Sequence, residues 1–201
     1  MAEIDLLRSL PKIRRNVMAR AEIKDPRIVA EAQKFGEAYF DGPRSHGYGG
    51  YHYDGRWVPV ARDIVEHYVL TPGMRVLDVG CAKGFLVRDL MSICPGLDVY
   101  GIDISDYAVR HGHTDVIGRL HVGNCINLPF PDNSFDAVLS INVIHNLDRD
   151  GVIKALKEII RVSRGDKRFV QVDSYHNNAQ KELFCNWVLT ARFHDFPQGW
   201  F

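Results

Sequence analysis

The sequence predicts an α/β fold: a doubly wound, mostly parallel sheet with helices on both faces. Two observations predict it. Short apolar runs alternate with segments whose apolar residues recur at helical spacing, and strand–helix–strand repetition implies parallel strands joined by crossover helices. The first apolar run also ends in small residues, Gly80, Cys81, Ala82 and Gly84, that lead straight into a helical segment. Such a turn falls at the carboxyl edge of the sheet, where ligands of this architecture bind.

The elements follow in order. Residues 1–38 read as helical, with breaks near Pro11 and Pro26. Residues 39–57, YFDGPRSHGYGGYHYDGRW, fit no period and read as a loop or lid. Trp57, Val60, Ala61, Ile64, Val65 and Tyr68 then line one face of an amphipathic helix, which TPG at 71–73 ends. RVLDVG is the first strand, Phe85–Ile93 a helix closed by Pro95-Gly96, and DVYGIDI the second strand. Tyr107–His111 is a short helix, RLHVGNCI the third strand, and FDAVLSIN a fourth that is buried on both faces. Val152, Ile153, Leu156, Ile159 and Ile160 make the next helix face, and RFVQVDSY is the fifth strand. Leu183, Phe184, Trp187, Val188 and Ala191 give a last helix over 179–193. The chain thus divides into an extension and lid, 1–56, and a sheet domain, 57–201.

Composition narrows the function. The chain has 201 residues, 46% hydrophobic and 25% charged, enough for one domain with a real core. Lys plus Arg equals Asp plus Glu at 25 each, and a dedicated nucleic-acid binder is usually basic, so no nucleic-acid partner is expected. No apolar run approaches the roughly 18 residues that cross a bilayer, so no membrane partner is expected. The opening MAEIDLLRSLPKIRRN has acids early and no long apolar core, unlike a secretory leader. Cys81, Cys94, Cys125 and Cys185 lack CxxC spacing and read as reduced thiols of a cytoplasmic protein. His111-x-His113 is poor evidence for a metal, and none is expected.

The sheet's carboxyl rim gathers Asp78–Gly84, Asp103, Asn124, Ser140–His145 and Asp173–His176. Two cofactor types suit a small-residue turn there. A dinucleotide fingerprint would read GxGxxG, with phosphates on the helix N-terminus. Here the pattern is Asp78-x-Gly80-x-Ala82-x-Gly84. A carboxylate before the turn is a poor neighbour for a pyrophosphate and a better one for a cationic ligand with an ammonium group.

Four segments in order carry a resemblance: VLDVGCAKG, GIDIS, GNCINLPFPDNSFDAVLSINVIHNL and LKEIIRVSR. On these, from about Trp57 to Tyr175, the chain resembles the class I S-adenosylmethionine (SAM)-dependent methyltransferases, the small-molecule group with the LPFPDNSFD segment. The resemblance implies a Rossmann-like sheet and makes 57–201 a SAM-binding domain, with S-adenosylhomocysteine (SAH) as product. It implies that the Gly80–Gly84 backbone, including Cys81, faces the methionine part of SAM beside Asp78, with Phe85 opening the helix. Asp103 would accept from the ribose hydroxyls, Ile104 pack on adenine, and Asn124 and Cys125 meet the adenine edge. Ser140 and Asn142 lie where backbone carbonyls hold the ammonium. Ala82 replaces the family's middle glycine and Asn124 its aspartate.

Methyl transfer from a sulfonium is an in-line displacement that alignment largely accelerates. A base is needed only for a protonated acceptor. His145 is the first candidate, then Asp173 and His176, each with a competing structural role. Tyr39, Arg44, His46, Tyr48, Tyr51, His52 and Tyr53 make the lid a candidate acceptor site, and Arg44 with Arg56 suits a phosphate or carboxylate. A satellite aromatic core is the competing reading of the lid. The expected activity is methylation of a small molecule, foremost O-methylation, with sugars or sugar nucleotides among the acceptors. The alternatives are a SAM-binding partner or regulatory subunit without catalysis and, last, a nicotinamide oxidoreductase. The family's closing strand hairpin is missing and Trp200-Phe201 ends the chain. Truncation, or a homodimer through the open fifth-strand edge, is therefore expected.

Overall fold

A computed structural model describes residues 3–12 and 15–200. Five strands form one sheet: β1 (Arg75–Val79), β2 (Asp98–Asp103), β3 (Leu120–Val122), β4 (Ala137–Ile141) and β5 (Arg168–Gln171). Their order is β3-β2-β1-β4-β5, and every pairing is parallel. Strand order reverses between β1 and β4, so the crevice of this fold opens beyond the ends of those strands.

The helices are α1 (Val17–Ile23), α2 (Pro26–Ala32), α3 (Glu37–Phe40), α4 (Val58–Tyr68), α5 (Phe85–Ile93), α6 (Asp106–Arg110), α7 (Arg149–Val162) and α8 (Asn178–Trp187). Local chemistry starts them. Asp25 accepts from Arg27 and Ile28 N–H ahead of Pro26, Asp148 accepts from Gly151 N–H, and Asn177 from Gln180 N–H.

Strand alternation builds two apolar layers. Val76 and Leu139 join α4 and α5 residues such as Val60, Ile64 and Leu90 on one face. Leu77, Val79 and Val138 join Ile159 and Val162 of α7 on the other. Asp78 therefore points to the α4–α5 side, with Val76. Leu77 and Phe135 are fully buried, and truncating either to alanine costs about 3–5 kcal/mol.

The LPFPDNSFD segment is held from α7. Arg161 donates to the Leu128 and Phe130 carbonyls at 2.9 and 2.8 Å and to Asp132 Oδ1 at 2.7 Å, while Glu158 accepts from Leu128 N–H at 2.7 Å. The motif thus fixes the loop that leads from β3 to β4.

Three expectations change. Residues 3–12 form turns, not helix, and the described part of the extension and lid holds three short helices after Pro11, α1 to α3. The last helix stops at Trp187, because the chain turns extended at Val188 (ψ 140°). Val188 and Ala191 are therefore not on a helix face. The segment beyond α8 instead folds back: Ser174 and Asp195 form a parallel bridge, and Trp200 stacks edge-on to Phe193 at 4.8 Å. Trp200 is thereby packed against the chain; Phe201 lies outside the described residues. No helix among the described residues is long and apolar enough to cross a membrane.

Candidate active site

The turn after β1 wraps over the end of β2. Gly80 and Cys81 N–H both donate to the Ile102 carbonyl, at 2.7 and 3.2 Å. Gly80, Ala82 and Gly84 are left-handed, with φ of 82°, 49° and 74°. A Cβ on Gly80 would sit 2.0 Å from Val143 Cγ2. Glycine is required there by the β4 loop pressing on the turn as much as by any ligand.

Asp103, at the end of β2, is held by two backbone donors: Ala82 N–H to Oδ2 at 2.7 Å and Ser105 N–H to Oδ1 at 2.8 Å. Burial pushes its carboxyl up, and those two bonds pull against that shift. Asp78 is 4% exposed, and its carboxylate makes no hydrogen bond or ion pair with the described residues. Burial, then the charge of Asp103, pushes its carboxyl up to about 7.

Both acids line one cleft over β1, β2 and β4. Gly80, Cys81, Ile104, Asn124, Cys125 and Asn142 line it with them. Asn124 Oδ1 accepts from Ile126 N–H at 3.1 Å, so a lone pair and the amide N–H groups remain for a ligand. Burial pushes the Cys125 thiol up to about 11, so it stays protonated. Asn142 is left-handed at φ 58°, and its N–H donates to Gln171 O at 3.1 Å.

The opposite wall is aromatic: Phe35, Tyr39, Phe40, Tyr48, Tyr51 and Trp57. Tyr48 and Tyr51 centroids are 4.5 Å apart, and Tyr51 stacks on Phe85 at 4.8 Å. A latch fixes this wall. Asp41 accepts from Lys83 Nζ at 2.6 and 2.8 Å, from Tyr107 Oη at 2.8 Å and from Tyr51 N–H at 3.0 Å. Burial acts to raise the Asp41 carboxyl, but these partners outweigh it and hold it at about 2. Lys83 sits within the glycine turn, so lid and turn are one mechanical unit.

Several sequence-predicted residues lie off the cleft wall. Gly84 packs the turn against Leu120 and Val116, Phe85 backs Tyr51, and Ser140 is buried with Oγ unpartnered. His46 Nδ1 pairs with Ser45 Oγ at 3.0 Å, and His52 is exposed. Tyr53 Oη donates to Asp89 at 2.7 Å, beneath α5. Arg56 is engaged by Asp54, whereas Arg44 turns toward Trp187.

His145 is buried between the β4 loop and the C-terminal segment. Its carbonyl accepts from Arg192 and Phe193 N–H at 2.9 and 3.0 Å, and its Nδ1 accepts from Asp173 N–H at 3.4 Å. Burial lowers its pKa against the opposing charge of Asp173, so the ring is neutral at pH 7. Asp173 is half-buried and His176 exposed, its N–H donating to Gln180 Oε1 at 2.7 Å. None of the three lines the cleft.

Sequence reasoning missed Asn146, which lines the cleft with Oδ1 buried and unpartnered. It also missed Phe35 and Phe40, which sit at unremarkable spacing. The signal for Asn146 was faint: a polar residue one position beyond the flagged histidine.

Residues 77–170 match the family model described as a methyltransferase domain. This segment of the chain is similar to the methyltransferase domain family. The domain is 32% identical over 128 residues to demethylmenaquinone methyltransferase of Symbiobacterium thermophilum, covering 60% of this chain and 50% of that protein. It is 32% identical over 129 residues to sterol 24-C-methyltransferase ERG6B of Gibberella zeae, covering 56% of this chain and 33% of that one. The chain thus spans half or less of these curated relatives' length. Among solved structures, the YcgJ protein of Bacillus subtilis shares the fold, with TM-score 0.58 and 22% identity, over 70% of this chain and 63% of that one.

The acceptor groups of the cleft fit SAM. A buried carboxylate with no partner, Asp78, and an orphaned amide oxygen, Asn146 Oδ1, both face the cleft. These are acceptors awaiting a cation with N–H donors, which the amino-acid end of SAM supplies. Asp103, its oxygens fixed by two backbone N–H groups, keeps lone pairs for a diol.

Proposed function

We propose that this chain methylates a small molecule at the aromatic end of the cleft, with SAM as donor. The observation that supports it above all is the buried, uncompensated Asp78 beside Asp103 on the turn of a methyltransferase domain. Asp78 and Asn146 hold the ammonium, Asp103 the ribose hydroxyls, Ile104 packs on the adenine face, and Asn124 meets its edge. When bound, SAM supplies an electrophilic methyl group. The protein's own work is then alignment and exclusion of water: Tyr39, Tyr48 and Tyr51, latched by Asp41 to Lys83, close over the acceptor.

The cleft wall carries no histidine or lysine side chain among the described residues. That favours an acceptor that gives up its proton readily, such as a phenol, or an activated ring carbon, over a sugar hydroxyl, whose proton needs a stronger base. Relatives named for quinone and hydroquinone methylation agree with that class. The test is calorimetry with SAM and SAH, followed by a methyl-transfer screen of phenols, hydroquinones and sugar nucleotides. Transfer to a phenol or hydroquinone, lost in Asp103→Ala, is the expected result. SAM binding without transfer to any acceptor would favour a regulatory subunit, and no SAM binding would end the proposal.

A further inference from the structure

Behind the tyrosine wall lies a cationic cluster that the chemistry above leaves unused. Three guanidiniums converge on one indole: the Cζ atoms of Arg20, Arg15 and Arg44 lie 4.2, 5.2 and 5.4 Å from the Trp187 ring centroid. Lys24 joins them, donating to the Cys185 carbonyl at 2.6 Å. These residues come from α1 and its two flanks, the lid and α8, three separate parts of the chain. None of the four forms an ion pair with a carboxylate of the described residues, in a chain whose formal charges cancel.

A single indole does not explain the arrangement. It has two faces, so the third guanidinium gains little from the ring while it repels the other two. Arg20 shows the cost: it is 8% exposed, and burial followed by the charges of Arg44 and Arg15 weakens its hold on its proton. Arg20 and Arg44 spend part of their donors on the backbone between them. Arg20 Nη2 donates to the Gly47 carbonyl at 3.2 Å and to the Arg44 carbonyl, and Arg44 Nη1 to the Gly47 and Tyr48 carbonyls at 2.7 and 3.0 Å. Nε of both and all Arg15 donors have no protein acceptor among the described residues. Gly47 and Tyr48 are also the backbone from which the Tyr48 ring enters the cleft wall.

We propose that Arg15, Arg20 and Arg44, framed on Trp187, form a subsite for the phosphate or diphosphate group of the methyl acceptor. This rests on the methyltransferase reading and names its substrate class. Three guanidiniums match a dianionic or trianionic phosphate better than a single carboxylate, and their forked N–H groups suit paired phosphate oxygens. Tyr48, whose carbonyl accepts from Arg44, also lines the cleft and is the link between this subsite and the aromatic end.

The experiment is titration of the full chain with inorganic pyrophosphate and orthophosphate, followed by calorimetry and tryptophan fluorescence at low and high salt. SAH titrations run in parallel. Pyrophosphate is expected to bind more tightly than orthophosphate, to perturb tryptophan emission, and to weaken with salt. Arg15→Ala/Arg44→Ala removes two exposed side chains, so the fold should survive. It should weaken pyrophosphate about tenfold or more while SAH affinity stays within about twofold. Trp187→Phe should abolish the fluorescence change but keep the binding heat. Failure of pyrophosphate to bind at millimolar concentration, or equal binding by the double variant, would overturn the subsite. Binding to phosphatidylglycerol vesicles without any binding of pyrophosphate would overturn it too, in favour of a membrane-facing patch. Loss of SAH binding by the wild-type chain would instead strike the methyltransferase reading itself.

Discussion

On the proposed placement of the ammonium, Asp78 makes donor binding titrate near neutral pH. Burial and the neighbouring Asp103 hold its carboxyl at about 7 in the ligand-free protein. An ammonium beside it binds the ionised form. At pH 8 about nine-tenths of the molecules carry that form, and at pH 5.5 about 3%, so SAH affinity should fall about 30-fold across this interval. The SAH amino group keeps its proton throughout the range, so the slope belongs to the protein. Calorimetry in two buffers of different ionisation heat should also show proton release on binding near pH 6.5. Stability moves the other way. The folded value lies above the unfolded carboxylate value, so the stabilisation is complete below about 4 and lost as pH rises through about 7. Three units correspond to about 4 kcal/mol at most. Asp78→Asn should therefore bind SAH weakly, without pH dependence, and melt higher than wild type at pH 8. A flat wild-type profile, or an unchanged slope in Asp78→Asn, would refute the assignment of the ammonium to Asp78.

Lys83→Met should unlatch the lid, raising hydrogen exchange across residues 39–53 and weakening SAH by about tenfold. With its partners in place the latch should hold above about pH 4 and open as acid protonates Asp41 through about 2, which tyrosine fluorescence can follow. His145→Ala should lower stability by about 1–3 kcal/mol and change kcat only severalfold, because its buried ring accepts from Asp173 N–H and lines no part of the cleft; a collapse of kcat at intact fold would restore it as a base. Gly80→Ala should disable donor binding through contact with Val143, and Val143→Ala should partly rescue it, as fluorescence titration would show.

The parallel sheet was legible because its strands are short apolar runs set between clear helical stripes. Asp78, Asp103, Asn124 and Asn142 were legible because motif order places them at strand ends, and the structure gathers all four on one cleft. The lid was legible as a segment but not residue by residue. Tyr39, Tyr48 and Tyr51 face the cleft while Tyr53 turns to Asp89, a choice made by the Asp41 latch and not by spacing. The last helix was overextended, because Leu189 and Thr190 are buried against other parts of the chain and the apolar pattern there mimics a helical stripe. His145 drew attention as a titratable group near the rim, yet its ring turns to Asp173 N–H, a partner that only the folded chain brings near.

The central claim concerns what occupies the cleft. A crystal structure of the protein with SAH tests it most directly. The account predicts the amino group of SAH at Asp78 and Asn146, with both ribose hydroxyls on Asp103. SAH bound elsewhere, or held with its adenine end at Asp78, would contradict it.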